Sequence, residues 1–225
     1  MDIPFDRFRA HMEQLRPLAS TLRDALEHLV TGSQGTRVVV TFDDAFANFF
    51  DLAWPVLCGL GVPAVLYVPT DFVDGRGAPP LRGAERLRPC SWDALREATA
   101  TGLLEVGSHT CSHRDLARLD PRSARDELTR SRARLEDELG RPVTSFCYPR
   151  GRSAPWLEPL VRERYATAVV RGGRKLTAAR WSPWQLERVP VRRDGPPDAL
   201  ELLSAGVWLE EWLSTRFQPI RSRRG

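Results

Sequence analysis

Thr41-Phe42-Asp43-Asp44 and, further along, His109-Thr110-Cys111-Ser112-His113 give the chain two carboxylates and two imidazoles at spacings that suit a divalent metal. One carboxylate and both imidazoles supply the protein's share of a catalytic site, which keeps a position open for water; a structural zinc site closes with four protein ligands. The spare carboxylate can take a proton from that water. The chemistry predicted is metal-assisted hydrolysis. The same groups have other uses. Asp-Asp after a strand also serves as a solvated turn or helix cap, and His-x-x-x-His also arises by chance. The three donors match a 2-His-1-carboxylate iron site, although the ligand order and the neighbouring carboxylate fit that badly. Cys111 or Cys147 as a fourth ligand would make the site structural. The other two histidines, His11 and His28, fall on an N-terminal helix, where a surface or packing role is expected.

What must position these groups is a set of alternating strands and helices. Apolar residues Phe8, Met12, Leu15, Leu18, Leu22, Leu26 and Leu29 recur every three or four positions and predict one helix over Phe5 to Leu29. Val38-Val39-Val40 is a β-branched run suited to a strand buried on both faces, with Asp43-Asp44 just past its end. A helix from Phe46 to Leu60 follows and stops at Gly61. Strands are expected at Ala64–Val68, Leu103–Val106, Thr144–Cys147 and Ala166–Val170, with a last short one at Val189-Pro190-Val191. Helices are expected over Trp92–Thr101 after a Ser91 cap, from Asp120-Pro121 to Gly140, over Trp156–Arg164, and from Pro197 to Leu213. The loop from Asp74 to Pro89 is long enough to suggest a functional role. Strands alternating with helices imply a parallel sheet. The reactive residues all follow strand C-termini, the face that carries the active site in (β/α) barrels.

The 225 residues suit one sizeable core, and 42% hydrophobic with 28% charged residues is ordinary for a globular chain. The net charge is +4, but Lys175 is the only lysine and the arginines interleave with acids, so no nucleic-acid footprint is expected. The basic C-terminus, Arg221-Ser222-Arg223-Arg224, reads as a solvated tail. The four cysteines form no CxxC pair, which argues against a disulfide framework or zinc ribbon. No run is long and apolar enough for a membrane helix. Met1 to Arg9 lacks a signal pattern, so a cytoplasmic location is expected, or an envelope-associated one if the N-terminus is truncated.

The chain resembles the polysaccharide deacetylase family, the NodB-homology or carbohydrate esterase family 4 domain. Thr41-Phe42-Asp43-Asp44 resembles its first motif, His109 to His113 its second, and Phe146-Cys147-Tyr148-Pro149-Arg150-Gly151 its third, in a Phe-x-Tyr-Pro-x-Gly variant. The likeness spans residues 36 to 192. It implies an α/β fold, a distorted, incomplete, TIM-barrel-like (β/α) barrel of about seven strands. It also implies an N-terminal helical segment over 1–35 packed on the barrel, a catalytic domain over 36–215 and an Arg-rich tail over 216–225. By the resemblance Asp43 is the base, and Asp44, His109 and His113 bind one divalent ion, zinc first, with cobalt, nickel or manganese as alternatives. The expected substrate is an N-acetylated amino sugar or polysaccharide, which is N-deacetylated by metal-activated water. Arg150 is expected to offer its backbone N–H to the oxyanion, and Tyr148 and Pro149 to shape the pocket wall. Trp181 and Trp184 have two readings, sugar stacking or core packing.

Three departures from the family pattern stand out. Ala45 replaces the usual Gly after the double Asp. Cys147 stands where many members carry an Arg that pairs with the base; Arg188 of Arg188-Val189-Pro190-Val191 is expected to replace it. The family's general-acid histidine has no counterpart, because no histidine follows His113 and no Tyr-His segment precedes the first helix. The alternative function is therefore a weakened or silent carbohydrate-binding relative.

Overall fold

Six short strands run parallel and pair strictly in chain order: β1 (Val40–Phe42), β2 (Ala64–Val68), β3 (Leu104–Ser108), β4 (Ser145–Cys147), β5 (Thr167–Arg171) and β6 (Leu186–Arg188). This is a computed structural model, which describes residues 3–204 apart from 82, 174, 175, 178, 180, 193, 194, 196 and 197. A parallel neighbour needs a crossover, and crossovers in sequential order curl the sheet one way. The result is an incomplete (β/α) barrel, with six strands among the described residues where about seven were expected.

Strand alternation sorts the apolar residues into two cores. On β2, Ala64, Leu66 and Val68 join the outer core with helix residues such as Leu57, Leu95 and Leu128. Val65 and Tyr67 point the other way and meet Cys147, Val169 and Leu186 from three other strands, so they fill the barrel interior. All five β2 residues are buried, which explains its uninterrupted apolar sequence.

The expected helix over Phe5–Leu29 is broken. α1 (Phe5–Leu15) is followed by a 3₁₀ turn at Arg16–Leu18, and α2 (Leu22–Val30) starts afresh with Thr21 as its cap. Across this break the Ser20 N–H donates to the Val38 carbonyl and the Val38 N–H to the Leu18 carbonyl, each 2.9 Å, so the segment pairs along the approach to β1. Pro17, which has no N–H to donate, favours such a break. α1 packs Phe8, Met12 and Leu15 into the outer core, with Phe8 against Phe42.

The segment after β1 also departs from one helix. Phe46 bridges Pro89, a π-helical turn covers Phe49–Ala53, and α3 (Trp54–Leu60) ends at left-handed Gly61. A short α4 (Thr70–Val73) follows β2. The long loop beyond it closes back on the first motif: Phe46, Phe72 and Ala84 cluster, the Ala47 N–H donates to Arg88 and the Cys90 N–H to Ala45. α5 (Trp92–Ala100) is capped by Ser91. α6 (Pro121–Leu139) is capped by Asp120, which accepts from Arg122 and Ser123, and it stops at Gly140. α7 (Glu158–Arg162) is shorter than expected. The last strand is not Val189–Val191 but lies three residues earlier; Leu186 fills the interior beside Val169, and Pro190 could not donate to a ladder. α8 (Ala199–Ser204) matches the start of the final expected helix. The rest of that helix, Lys175 and the Arg-rich tail lie outside the described residues.

Candidate active site

The chain leaves ordinary backbone geometry where the motifs end. Five described non-glycine residues have positive φ: Asp44 (73°), Ala45 (53°), Thr110 (67°), His113 (54°) and Arg150 (61°). Four of them belong to the three motif segments, and Ala45 directly follows the first. Each left-handed L-residue costs about 1–2 kcal/mol. Strain of this kind persists only where surrounding contacts over-determine it, and it collects at functional sites. Ala45 bears its share fully buried, the position where the resemblance led us to expect glycine.

These turns bring three donors together. Asp44 Oδ1 lies 3.6 Å from His109 Nε2 and 3.5 Å from His113 Nε2. Four-coordinate zinc with bonds of 2.0–2.2 Å sets its ligand atoms about 3.3–3.6 Å apart. Both Asp44 spacings match that separation, and all three donor atoms lie within 4.8 Å of one another, so the group suits one ion. His109 Nδ1 sits 2.8 Å from the Cys147 carbonyl, an arrangement that leaves Nε2 facing Asp44 as the atom that could bind an ion. Burial is the main reason that the His113 pKa is held down to about 3, with His109 and Arg150 adding to the effect. A neutral imidazole is the form that binds metal.

Asp43 is held separately. Arg188, the last residue of β6, donates Nη1 to Oδ1 and Nη2 to Oδ2, each 2.8 Å. The same guanidinium reaches Thr41 Oγ1 at 3.0 Å and Cys147 Sγ at 3.0 Å, and lies over the Tyr67 ring. The Cys147 thiol donates to Asp43 at 3.7 Å; burial pushes its pKa up and keeps it protonated. Burial alone would raise the Asp43 pKa, but the charge and hydrogen bonds of Arg188 outweigh it and bring the carboxyl down to about 2. A bidentate pair of this type fixes orientation as well as charge. Asp43, His109 and Cys147 also lie close enough to form a second donor group that shares His109.

Residues 32–166 match the polysaccharide deacetylase family. The chain belongs to that family. YxkH of Bacillus subtilis (strain 168) is 23% identical over 155 residues, which are 67% of this chain and 51% of that protein, so the chain spans about half the length of this curated relative. Among solved structures, the Streptococcus pyogenes deacetylase PplD in complex with acetate superposes with a TM-score of 0.76 at 20% identity, covering 88% of this chain and 86% of that one. IcaB from Ammonifex degensii superposes with a TM-score of 0.75 at 27% identity over 90% of each chain.

The third deacetylase motif is built differently from the expected pocket wall. Phe146 and Tyr148 both turn to the outer core, with ring centroids 5.0 Å apart, and Tyr148 is fully buried there. Alternation explains this: Cys147 faces the barrel interior, so its neighbours cannot. Pro149 is buried, while Arg150 carries the left-handed turn and an exposed side chain. Gly151 follows at φ 64°, and a Cβ there would lie 2.2 Å from Arg171 Cβ and 2.5 Å from Arg171 N. Gly151→Ala is expected to cost roughly 2–4 kcal/mol, from overpacking plus a left-handed alanine. Urea unfolding of the variant checks this.

Trp184 donates its indole N–H to the Tyr165 carbonyl at 3.0 Å, stacks under Arg162 and packs on the outer core, while Trp181 packs on the interior cluster. Both follow the core-packing reading. His11 is buried on α1, and His28 Nε2 sits 3.1 Å from the Gly35 carbonyl. Sequence reasoning missed Thr41 and Cys147 as partners of Arg188, and Glu127 of α6 as a partner of the second motif. No helix among the described residues is long and apolar enough to cross a membrane.

Proposed function

We propose that this chain is a metal-dependent N-deacetylase that hydrolyses the acetamido group of an N-acetylated amino sugar, free or within a polysaccharide. The observation that carries this reading is the placement of an Arg-clamped carboxylate, Asp43, beside a separate Asp44–His109–His113 donor triad. The triad would hold one divalent ion, zinc in the first instance, with cobalt, nickel or manganese as alternatives. Bound there, the ion would polarise the acetyl carbonyl and acidify a water molecule.

The chain's own groups then supply the proton traffic. Asp43 takes a proton from the attacking water as the new C–O bond forms. Arg188 keeps that carboxylate ionised and aimed. The backbone N–H of Arg150 is the proposed donor to the oxyanion, a role that does not depend on its side chain. As the C–N bond breaks, the proton on Asp43 passes to the leaving nitrogen. One water and one amide give acetate and the protonated amine, the second proton of the water reaching the amine as the acetic acid ionises, and the base is restored. Residues 36–215 would form the catalytic domain, with 1–35 as a helical segment packed on it.

The test is acetate release from N-acetylglucosamine oligomers by zinc- or cobalt-loaded protein. Stripping the metal with dipicolinate is expected to lower the rate at least ~10²-fold, and stoichiometric metal to restore it. Full metal loading with no acetate from any N-acetylated sugar would instead favour a carbohydrate-binding relative.

A further inference from the structure

The loop from His109 to His113 carries two of the three proposed metal ligands, yet it has an awkward backbone, with Thr110 and His113 both left-handed. Something must hold it. The backbone of the loop makes some of the bonds: the His113 N–H donates to Thr110 Oγ1 at 3.0 Å, and the Thr110 and Cys111 carbonyls accept from Thr70 and Asp71. At its start the loop is tied to β4 and β2, through His109 Nδ1 to the Cys147 carbonyl and the His109 N–H to the Val68 carbonyl. The contacts of its middle residues, Cys111 and Ser112, run to one residue of α6. Glu127 Oε2 accepts from the N–H groups of both Cys111 and Ser112, each at 2.9 Å. Its Oε1 accepts from the Ser112 hydroxyl. The Glu127 backbone carbonyl takes the Cys111 thiol at 3.5 Å. Two consecutive N–H groups aimed at one oxygen form a concave anion site of the sort that elsewhere binds phosphate. Here the anion belongs to the protein, and Glu127 is 9% exposed.

We propose that Glu127 is a positioning residue for the metal centre: without touching the ion, its carboxylate holds the second motif in the shape that keeps His113 Nε2 opposite Asp44. This rests on the metal-site reading above. The reasoning is mechanical. Cys111 and Ser112 are the two residues immediately before His113, and both are pinned by the same oxygen. If that oxygen is removed, the left-handed turn loses the partner of two backbone N–H groups, one of them on the buried Cys111, and the imidazole of His113 is free to swing. Outer-sphere partners of this kind change metal affinity about 10–100-fold when removed.

The experiment measures zinc affinity of the full chain by competition with a chromophoric chelator, and the visible absorption of the cobalt-loaded protein. Glu127→Ala is expected to bind zinc about 10–100-fold more weakly, with altered cobalt bands. Glu127→Gln keeps an oxygen for the two N–H groups but loses the charge, and should fall between wild type and Glu127→Ala. A carboxylate that merely ties α6 to the loop would lower the melting temperature and leave both metal readouts unchanged. Folded Glu127→Ala and Glu127→Gln proteins with zinc affinity and cobalt spectra matching wild type would overturn the proposal. If Glu127→Ala does not fold, Glu127→Gln carries the same test. His113→Ala is the control for the underlying reading: if it binds zinc as tightly as wild type, the metal-site assignment fails, and the role of Glu127 with it.

Discussion

Asp43→Asn protein is expected to load metal as wild type does and to release acetate about 10²–10⁴-fold more slowly. The substitution keeps the shape of the side chain but removes its charge and its basicity. Metal loading should survive, because the triad uses Asp44 and the two histidines, and the cobalt spectrum checks that independently of turnover. The clamp itself should suffer. Arg188 now presents Nη2 to an amide NH₂, so two donors face each other where a 2.8 Å bond stood. The guanidinium is then left part-buried against Cys147 and Tyr67, at a cost of about 1–3 kcal/mol. There is also an acid signature. The Asp43 pKa lies at about 2 in the folded chain against 3.8 ordinarily. The stability that the pair contributes is therefore complete above the ordinary value and is lost as pH falls through the folded one. Thermal melts between pH 2 and 5 should show a shallower acid decline in Asp43→Asn than in wild type. A variant that kept more than about a tenth of the wild-type rate would exclude Asp43 as the base, since a lost general base costs more than that.

How far the sequence could be read depended on whether a feature was local. The Asp120 cap, the Gly140 stop and the Ser91 cap are written in adjacent residues, and helices α5 and α6 appeared within a residue of expectation. The apolar run of β2 marked its strand to the residue, whereas the both-face burial expected of Val38-Val39-Val40 did not hold: β1 begins only at Val40, and Val38 and Val39 are half-buried. The convergence of Asp44, His109 and His113 was legible because each follows a parallel strand, and parallel strands deliver their C-terminal ends to one face. The errors have equally specific causes. Helical periodicity continues through Pro17, so pattern alone joined two helices that the backbone separates. Val189-Pro190-Val191 has better strand composition than Leu186-Glu187-Arg188, yet the barrel interior needed the leucine and the arginine. The burial of Tyr148 could have been foreseen: once Cys147 is placed inward, alternation turns Phe146 and Tyr148 outward. The ties from Thr41 and Glu127 could not, since they join residues far apart in the chain through contacts that no local pattern encodes.

Arg188 carries the second large expectation, because one guanidinium makes both short hydrogen bonds that aim the base. Its four nitrogen contacts reach both Asp43 oxygens, the Thr41 hydroxyl and the Cys147 sulfur. A lysine ammonium cannot reproduce a planar fork, so Arg188→Lys is not a mild change here. Arg188→Ala should lower the rate of acetate release about 10²-fold, the scale expected when a reacting group is misplaced by about an ångström, with Arg188→Lys between it and wild type. Zinc affinity should hold in both, which separates this effect from that of Glu127. The pH profile gives the sharper reading. In wild type the arginine overrides burial and keeps Asp43 ionised throughout the working range. Without it burial dominates, the carboxyl pKa rises, and a base must be deprotonated to act. The Arg188→Ala rate should therefore fall as pH drops through a region where wild type is flat, and recover partly as pH rises. Equal pH profiles in the two proteins would show that Asp43 owes its ionisation to something other than the arginine, and would remove Arg188 from the proton pathway even if the rate had dropped.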